Sequence, residues 1–155
     1  MKKHVFLVAT ILSVFGTSLL TAQDEEVVIE IDTLSNQVYM LTGQGGNIGI
    51  YVGQDQVFMI DDQFDRLSEK LKTAISSLTD KPIAFLFNTH MHGDHYFGLV
   101  GLLNTLQLNG RKTDLNIFGP PELEQILLLQ TDYEREDWSY KINFTPMNFG
   151  ESYKL

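Results

Sequence analysis

The sequence has 155 residues, of which 43% are hydrophobic, so it can form one hydrophobic core and one domain of ordinary size. Acidic residues outnumber basic ones by 20 to 11, and the formal net charge of -9 argues against a broad surface that binds nucleic-acid phosphates. Because there is no cysteine, disulfides and thiolate zinc ligands are excluded, and any metal ion must be bound by imidazole and carboxylate groups.

The first 22 residues have the pattern of a secretory signal peptide. Lys2 and Lys3 precede the apolar run VFLVATILSVFG, and the small and polar residues of TSLLTAQ follow it. The apolar run is shorter than the ~20 residues that span a bilayer, so a cleaved signal is expected rather than a membrane anchor. With cleavage after Ala22, the mature domain comprises residues 23–155 and is secreted or periplasmic.

Four short strands are predicted next, and they are VVIEID (27–32), QVYMLT (37–42), NIGIYV (47–52) and QVFMID (56–61). They are rich in β-branched and aromatic residues and are separated by the turn-forming stretches LSN, GQGG and GQD. This spacing predicts an antiparallel meander. The GQGGNIG stretch lies between two strands with no helix after it, so we interpret it as a hairpin connection and not as a phosphate-binding loop.

Helices and strands alternate in the rest of the chain. The first helix is DQFDRLSEKLKTAISSLTD (62–80), in which apolar side chains recur every three or four residues on one face, namely Phe64, Leu67, Leu71, Ile75 and Leu78. The apolar run IAFLFN (83–88) is predicted to be a buried strand. A helix from Tyr96 to Leu108, a strand DLNIFG (114–119), a helix that begins at Pro120 and Pro121, and a strand YKINFTPM (140–147) follow. The alternation predicts a single α/β unit.

Three of the four histidines lie within six positions of the stretch NTHMHGDHYFG, residues 88–98. His90 and His92 follow a strand, where alternation directs both rings to the same side. Gly93 is expected to let the backbone turn sharply, which brings Asp94 and His95 to an adjacent point. Two such pairs suit two neighbouring metal ions, zinc in the first place and manganese or iron as alternatives. A water between the ions would lose its proton near neutral pH and become a nucleophile. His4 lies in the signal and has no assigned role.

The pattern His-x-His-x-Asp-His resembles the signature of the metallo-β-lactamase superfamily of metal-dependent hydrolases. The segment from VYMLTGQGG to HMHGDH is similar to exported hydrolases of that superfamily, whereas HGDHYFGLVGLLNTLQLNGRKTDLNIFGPPELEQI is similar to ribonuclease Z, its transfer-RNA-processing branch. The resemblance implies an αββα sandwich of two similar halves, of which this sequence supplies the N-terminal half.

The resemblance also implies roles for individual residues. His90 and His92 bind the first metal ion, Asp94 and His95 bind the second, and Asp94 is the candidate acid and base. Asp61 resembles a supporting aspartate near the site, and its alternative is a turn or helix-capping acid. Family members complete their sites with ligands further along the chain, but this sequence has no histidine after His95, and the later aspartates, Asp114, Asp132 and Asp137, are better explained as surface charges.

The main functional expectation is an exported zinc-dependent hydrolase that attacks an ester, amide or phosphodiester of a small-molecule substrate. A ribonuclease Z-like phosphodiesterase is the first alternative, although the basic residues at 110–112 (GRK) form only a small patch. A noncatalytic metal-binding module is the second alternative. A lone half-sandwich would expose an apolar sheet face, which leaves three explanations: a truncated or fused gene product, which we rank first, a homodimer, or a binding remnant.

Overall fold

The computed structural model describes residues 27–148, so the predicted signal peptide, His4 and the cleavage position at Ala22 lie outside the described residues. The strands are β1 (Glu30–Thr33), β2 (Val38–Thr42), β3 (Ile48–Val52), β4 (Val57–Ile60), β5 (Ile83–Phe87), β6 (Leu115–Gly119) and β7 (Ile142–Pro146). The helices are α1 (Ser68–Leu78), which follows a 3-10 turn at Asp65–Leu67, α2 (Gly93–Leu108) and α3 (Pro121–Thr131). None of the helices within 27–148 is long and apolar enough to cross a membrane.

The seven strands of this region form one sheet in sequence order, from β1 to β7. Strands β1 to β4 pair antiparallel, which confirms the predicted meander. Strands β4 to β7 pair parallel and are connected by α1, α2 and α3, which confirms the α/β unit. The carboxyl ends of four neighbouring strands therefore lie at one edge of the sheet, where open α/β sheets commonly bind ligands.

The three helices cover one face of the sheet. Each crossover between parallel strands advances the sheet in the same direction, and the right-handed rule places all such helices on the same side. A row of aligned cross-strand neighbours lines this face, with at most 1% exposure each: Ile50, Met59, Leu86 and Ile117. Against it pack Leu71 of α1, Leu99 of α2 and Leu123 of α3, which lie in the same apolar cluster.

The opposite face of the sheet is aromatic and has no layer over it within the described residues. Phe58 and Phe85 stack with ring centroids 4.5 Å apart, and Phe87 and Phe118 stack at 4.8 Å. Tyr51, which contacts Phe58, is 42% exposed. We call this surface, defined by Tyr51, Phe58, Phe85, Phe87 and Phe118, the aromatic sheet face. It is the apolar face expected for one half of a sandwich.

Two helix starts differ from the prediction. The α-helix α1 begins at Ser68 and not at Asp62, because Asp61 and Gln63 both have a φ of 61°, which is incompatible with a right-handed helix. Its apolar face is nevertheless as predicted, since Leu67, Leu71 and Ile75 are at most 4% exposed.

The helix α2 begins at Gly93, three residues before the predicted start at Tyr96, with an extended His92 as its N-cap. Asp94 and His95 therefore lie in the first helical turn, where an acidic side chain is favoured by the helix dipole. Gly93 was predicted to allow a sharp backbone turn, and the structure gives a different reason for a glycine at this position. Its backbone is helical, and a Cβ there would lie 2.3 Å from Cε2 of Phe97, so a larger residue would displace that ring, which is 53% exposed.

Candidate metal centre

The histidine motif lies at the carboxyl-terminal edge of the parallel strands. It connects the end of β5 to the start of α2, and the backbone N–H of Asn88 donates to the carbonyl of Phe118 on β6. The end of β4 at Asp61 is anchored next to it, since the N–H of Asp61 donates to the carbonyl of Phe87. Strand order thus brings residues from two β-strand ends and one helix start to a single place.

The structure brings the four predicted ligands together. The ring centroids of His90 and His92 are 4.6 Å apart, and those of His90 and His95 are 3.9 Å apart. Nε2 of His95 lies 3.7 Å from Oδ2 of Asp94. The side chains of Asp94 and His95 are 41% and 21% exposed, so the cluster is accessible to solvent.

Asp61 lies directly beneath this cluster, with a side chain that is only 7% exposed. Its Oδ2 is 2.8 Å from Nδ1 of His95, and its carboxylate accepts hydrogen bonds from the backbone N–H of Thr89 at 2.9 Å and from the Thr89 hydroxyl at 2.9 Å. These contacts are those of a supporting carboxylate. They are not the contacts of a turn or helix-capping acid, the alternative for this residue.

The hydroxyl of Thr89 extends the support to a second imidazole. Its Oγ1 lies 2.8 Å from Nδ1 of His90. Because the single hydroxyl proton is donated to Asp61, Oγ1 accepts the Nδ1–H of His90, while Nδ1–H of His95 is donated to Asp61. Both rings are therefore held in the tautomer that leaves the Nε2 lone pair available for a metal ion, as in the carboxylate–histidine arrangements of metal sites.

A second, largely buried network holds the start of α2. Asp62 is 0% exposed, and burial raises its pKa well above the ordinary value. Nδ2 of Asn88 donates to Oδ2 of Asp62 at 2.8 Å and to the carbonyl of His95 at 2.7 Å. The backbone N–H of Asp62 also donates to that carbonyl, at 3.2 Å. Sequence reasoning missed Asp62, Asn88 and Thr89 as site residues, although polar residues directly after an apolar strand are a usable signal.

The β2–β3 hairpin, predicted as a simple connection, covers one side of the cluster. A Cβ on Gly46 would lie 3.0 Å from Cε1 and 3.1 Å from Nε2 of His95, and a Cβ on Gly45 would lie 3.0 Å from Cβ of Asp94. Gly45 also has a φ of 97°, which favours glycine. Gln63 fixes the loop because its side-chain amide donates to the carbonyl of Gly46. The glycines of GQGG thus permit a close approach to the predicted ligands.

The imidazole and carboxylate donors of the motif suit a divalent metal ion in their chemistry. Between residues 27 and 148, no group of three or more histidine or acidic side chains is placed so that it could hold a metal ion. The later aspartates do not add to the cluster. Asp114 precedes β6 at the other edge of the sheet, Asp132 ends α3 with a φ of 50°, and Asp137 is exposed and pairs with Arg135 at 2.8 Å.

A cavity of about 570 Å³ opens beside His90 at the same edge of the sheet. Its lining is mainly apolar and includes Ile60, Phe87, Met91, Pro120 and Met147. Asn88, Thr89 and His90 supply its polar wall, and no lysine, arginine, aspartate or glutamate lines it. A substrate bound here would meet apolar contacts directly next to the predicted ligands.

Sequence comparison finds curated relatives that match part of this chain and part of their own length. The chain is similar to ribonuclease Z of Picrophilus torridus, with 49% identity over 63 residues, which is 38% of this chain and 19% of that protein. It is similar to ribonuclease Z of Bacteroides fragilis, with 35% identity over 91 residues, 59% of this chain and 29% of that protein. It is also similar to ribonuclease Z of Phocaeicola vulgatus, with 34% identity over 99 residues, which is 64% of this chain and 31% of that protein. The chain thus spans less than a third of the length of these relatives.

Structure comparison gives the same fold in solved proteins. A metallo-β-lactamase from Hirschia baltica matches with a TM-score of 0.54 and 21% identity, covering 83% of this chain and 57% of that one. The short form of human tRNase Z matches with a TM-score of 0.53 and 20% identity, and the match covers 77% of this chain and 44% of that one. At this identity the likeness establishes the fold only. The family model of the metallo-beta-lactamase superfamily matches residues 41–143, which include the histidine motif and four of the strands from end to end, β3 to β6. The chain belongs to the metallo-β-lactamase superfamily of hydrolases.

Proposed function

We propose that the chain provides the metal centre of a zinc-dependent hydrolase that acts on a small, uncharged ester or amide with an apolar group. The observation that supports this most is the pair of hydrogen bonds from Nδ1 of His95 to Asp61 and from Nδ1 of His90 to Thr89, at 2.8 Å each. These bonds orient two imidazoles for metal binding before any metal arrives.

In this proposal His90 and His92 bind one ion, and Asp94 and His95 bind the other. A bound divalent metal ion supplies Lewis-acid polarisation of a carbonyl and a water of lowered pKa. Asp61 and Thr89 keep the imidazoles in their ligating tautomers. Asp94 is the candidate to accept and return the reaction's proton, since its 41% exposure gives the carboxylate contact with both the cluster and solvent.

The substrate class follows from the cavity beside His90. Ile60, Phe87 and Met91 present apolar surface, and neither lysine nor arginine lines the cavity. An uncharged acyl or alkyl group would lose contact with water there and gain apolar contacts. The phosphates of a nucleic acid would instead need cationic partners close to the ligands.

A ribonuclease Z-like phosphodiesterase is the second candidate, and the similarity to proteins named ribonuclease Z favours it. The basic residues Arg111 and Lys112 do not support it, because they precede β6 and lie at the sheet edge opposite to the histidines. The third candidate, a noncatalytic metal-binding module, is supported by the small number of ligands that the described residues bring together.

The location of the protein is part of the same proposal. A signal at residues 1–22 would direct residues 23–155 to a secreted or periplasmic site, where a small-molecule substrate is available and transfer RNA is not. Mass spectrometry of the exported protein would test this, with a new amino terminus at residue 23 as the expected result. Recovery of uncleaved protein in the cytoplasm would contradict the proposal.

The proposed function is tested by metal analysis and hydrolysis assays on the full chain incubated with zinc. The assays compare p-nitrophenyl butyrate with bis(p-nitrophenyl) phosphate and a transfer-RNA precursor. We expect zinc at about two ions per chain, loss of this zinc in His92→Ala, and hydrolysis of the ester alone. Asp137→Asn serves as the control, because Asp137 is exposed and remote from the motif. Full zinc content in His92→Ala would refute the ligand assignment, and cleavage of the phosphodiesters alone would select the second candidate.

A further inference from the structure

A second cavity, of about 610 Å³, lies far from the histidine motif. Lys112, which precedes β6, and Lys141, which precedes β7, line it together with Trp138 and Ser139. In parallel strands the residues that precede β6 and β7 lie at the edge opposite to the carboxyl ends. The cavity therefore belongs to the other edge of the sheet and has no part in the proposed hydrolytic site.

Basic side chains concentrate around this cavity although the chain is strongly acidic. Of the eight lysines and arginines in residues 27–148, four lie at this edge, and they are Arg111, Lys112, Arg135 and Lys141. Two acids, Glu124 and Glu134, line the same cavity, and their charges add to the effect of burial in raising the pKa of Tyr133. The cavity lining thus carries three cations, Lys112, Arg135 and Lys141, against these two acids, a net formal charge of +1 in a protein whose net charge is -9. This local charge favours an anion over a cation.

Two of these cations are engaged and two are available. The guanidinium of Arg111 donates to the carbonyls of Ile83 at 2.6 Å and Asp114 at 2.7 Å, so it has a structural role. Arg135 pairs with Asp137 at 2.8 Å. By contrast, the side chains of Lys112 and Lys141 form no hydrogen bond or ion pair with any residue of the described part, and both are exposed.

An aromatic wall adjoins the two lysines. The rings of Trp138 and Tyr140 lie 5.7 Å apart and are both buried, and the guanidinium of Arg135 lies 5.3 Å from the centre of the Trp138 ring. Gln107 holds this segment in place, since the backbone N–H of Ser139 donates to its side chain at 2.6 Å. The hydroxyl oxygen of Ser139 is buried without a hydrogen-bond partner among the described residues. Buried hydroxyl groups normally form a hydrogen bond, and a ligand in the cavity could supply the partner that Ser139 lacks.

We propose that this cavity binds a small anion that carries a flat ring. Lys112 and Lys141 contact the anionic group, the hydroxyl of Ser139 donates to it, and the Trp138–Arg135 wall packs on the ring. A nucleoside monophosphate and an aromatic carboxylate share this chemistry. Both are therefore used as probes, and the one that binds more tightly shows whether the cavity prefers a phosphate or a carboxylate.

Trp138 is the only tryptophan of the chain, so its fluorescence reports on this cavity directly. The full chain is titrated with adenosine 5′-monophosphate and with benzoate, and separately with inorganic phosphate and with adenosine. We expect a saturable fluorescence change with one of the first two probes. The binding should be about tenfold weaker for phosphate or adenosine alone, because each lacks one of the two contacts.

The double variant Lys112→Gln/Lys141→Gln should weaken the binding about tenfold or more. Lys72→Gln, which removes a charge from α1, is the matched control and should bind as the original chain does. The fluorescence of the ligand-free variants shows whether Trp138 remains buried. The proposal is overturned if neither ring-bearing probe gives a saturable change at millimolar concentration, or if the double variant binds as well as the control. Zinc content and ester hydrolysis do not enter this test, so its outcome is separate from that of the proposed function.

Discussion

Nδ1 of His95 lies 2.8 Å from Oδ2 of Asp61, a residue 34 positions earlier in the chain. The two residues come from the first turn of α2 and from the end of β4. Because the buried carboxylate accepts a hydrogen bond from Nδ1–H, the opposite nitrogen of His95 presents its lone pair to the cluster. In the proposed function this contact gives Asp61 the role of positioning the proposed ligand His95.

The substitution Asp61→Asn should therefore lower zinc affinity about 10- to 100-fold without removing any predicted ligand. An amide fills the same space, but its neutral oxygen accepts the Nδ1–H of His95 less strongly and its NH2 group opposes the donors of Thr89. Competition with a chromogenic chelator measures the change. Asp137→Asn is the isosteric control on the surface and should leave the affinity as it is. Equal affinities in the two variants would show that Asp61 does not position His95.

The hairpin glycine Gly46 should be needed for the cluster and not for folding. A Cβ at this position would lie 3.0 Å from Cε1 of His95, so Gly46→Ala must displace the ring or the loop. We expect reduced zinc binding with little change in the midpoint of thermal unfolding. Gly49→Ala is the matched control, because its Cβ would lie 3.4 Å from Ile60, which is an ordinary contact. If both variants bind zinc equally, the loop yields without affecting His95.

The order and type of the elements could be predicted from local patterns, because strands and helices here follow their period-two and period-3.6 apolar spacing. The four clustered donors could be predicted as well, since they lie within six positions of one another. The supporting contacts could not, because Asp61 and Thr89 are 28 residues apart and meet only when β4 pairs with β5. The positive φ of Asp61 and of Gln63 could not be predicted either, because non-glycine residues rarely adopt it by local preference.

The phenol of Tyr133 should make the protein less stable at high pH. Burial, with a contribution from Glu124 and Glu134, raises the pKa of Tyr133 to about 12. An unfolded tyrosine has a pKa of about 10, so the folded state binds this proton more tightly, and the free energy of unfolding falls as the pH rises from about 10 to about 12. Tyr133→Phe should reduce this loss in thermal unfolding measured over the same range. Tyr51→Phe, at an exposed position, should show the original pH dependence, and an identical loss in Tyr133→Phe would contradict the assignment.

The aromatic sheet face should drive self-association of the chain. Apolar side chains such as Tyr51, which is 42% exposed, adjoin the stacked rings of Phe58 and Phe85 and would be removed from water in a dimer. Sedimentation velocity should show a concentration-dependent shift that Tyr51→Lys reduces. Leu129→Lys is the control, because Leu129 is 87% exposed on α3, away from the sheet. An equal effect of the two lysines would assign the association to net charge and not to this face.

Thr89 should couple the two imidazoles, because its hydroxyl contacts both Asp61, at 2.9 Å, and Nδ1 of His90, at 2.8 Å. Thr89→Val keeps the shape of the side chain but removes the hydroxyl. Asp61 then loses a donor, and His90 loses the acceptor that fixes its tautomer. Asp61 keeps the Thr89 N–H and Nδ1 of His95 as donors, so we expect a loss of about 0.5–1.5 kcal/mol in the free energy of unfolding, the net contribution of a typical hydrogen bond, together with weaker zinc binding.

Thr89→Ser separates the hydroxyl from the methyl group. It retains the oxygen that bridges Asp61 and His90, so it should preserve zinc affinity even if the lost methyl lowers stability slightly. Chelator competition and thermal unfolding on both variants distinguish the contributions. If Thr89→Ser loses as much zinc affinity as Thr89→Val, the methyl packing and not the hydroxyl bridge positions His90, and the two imidazoles are then supported independently.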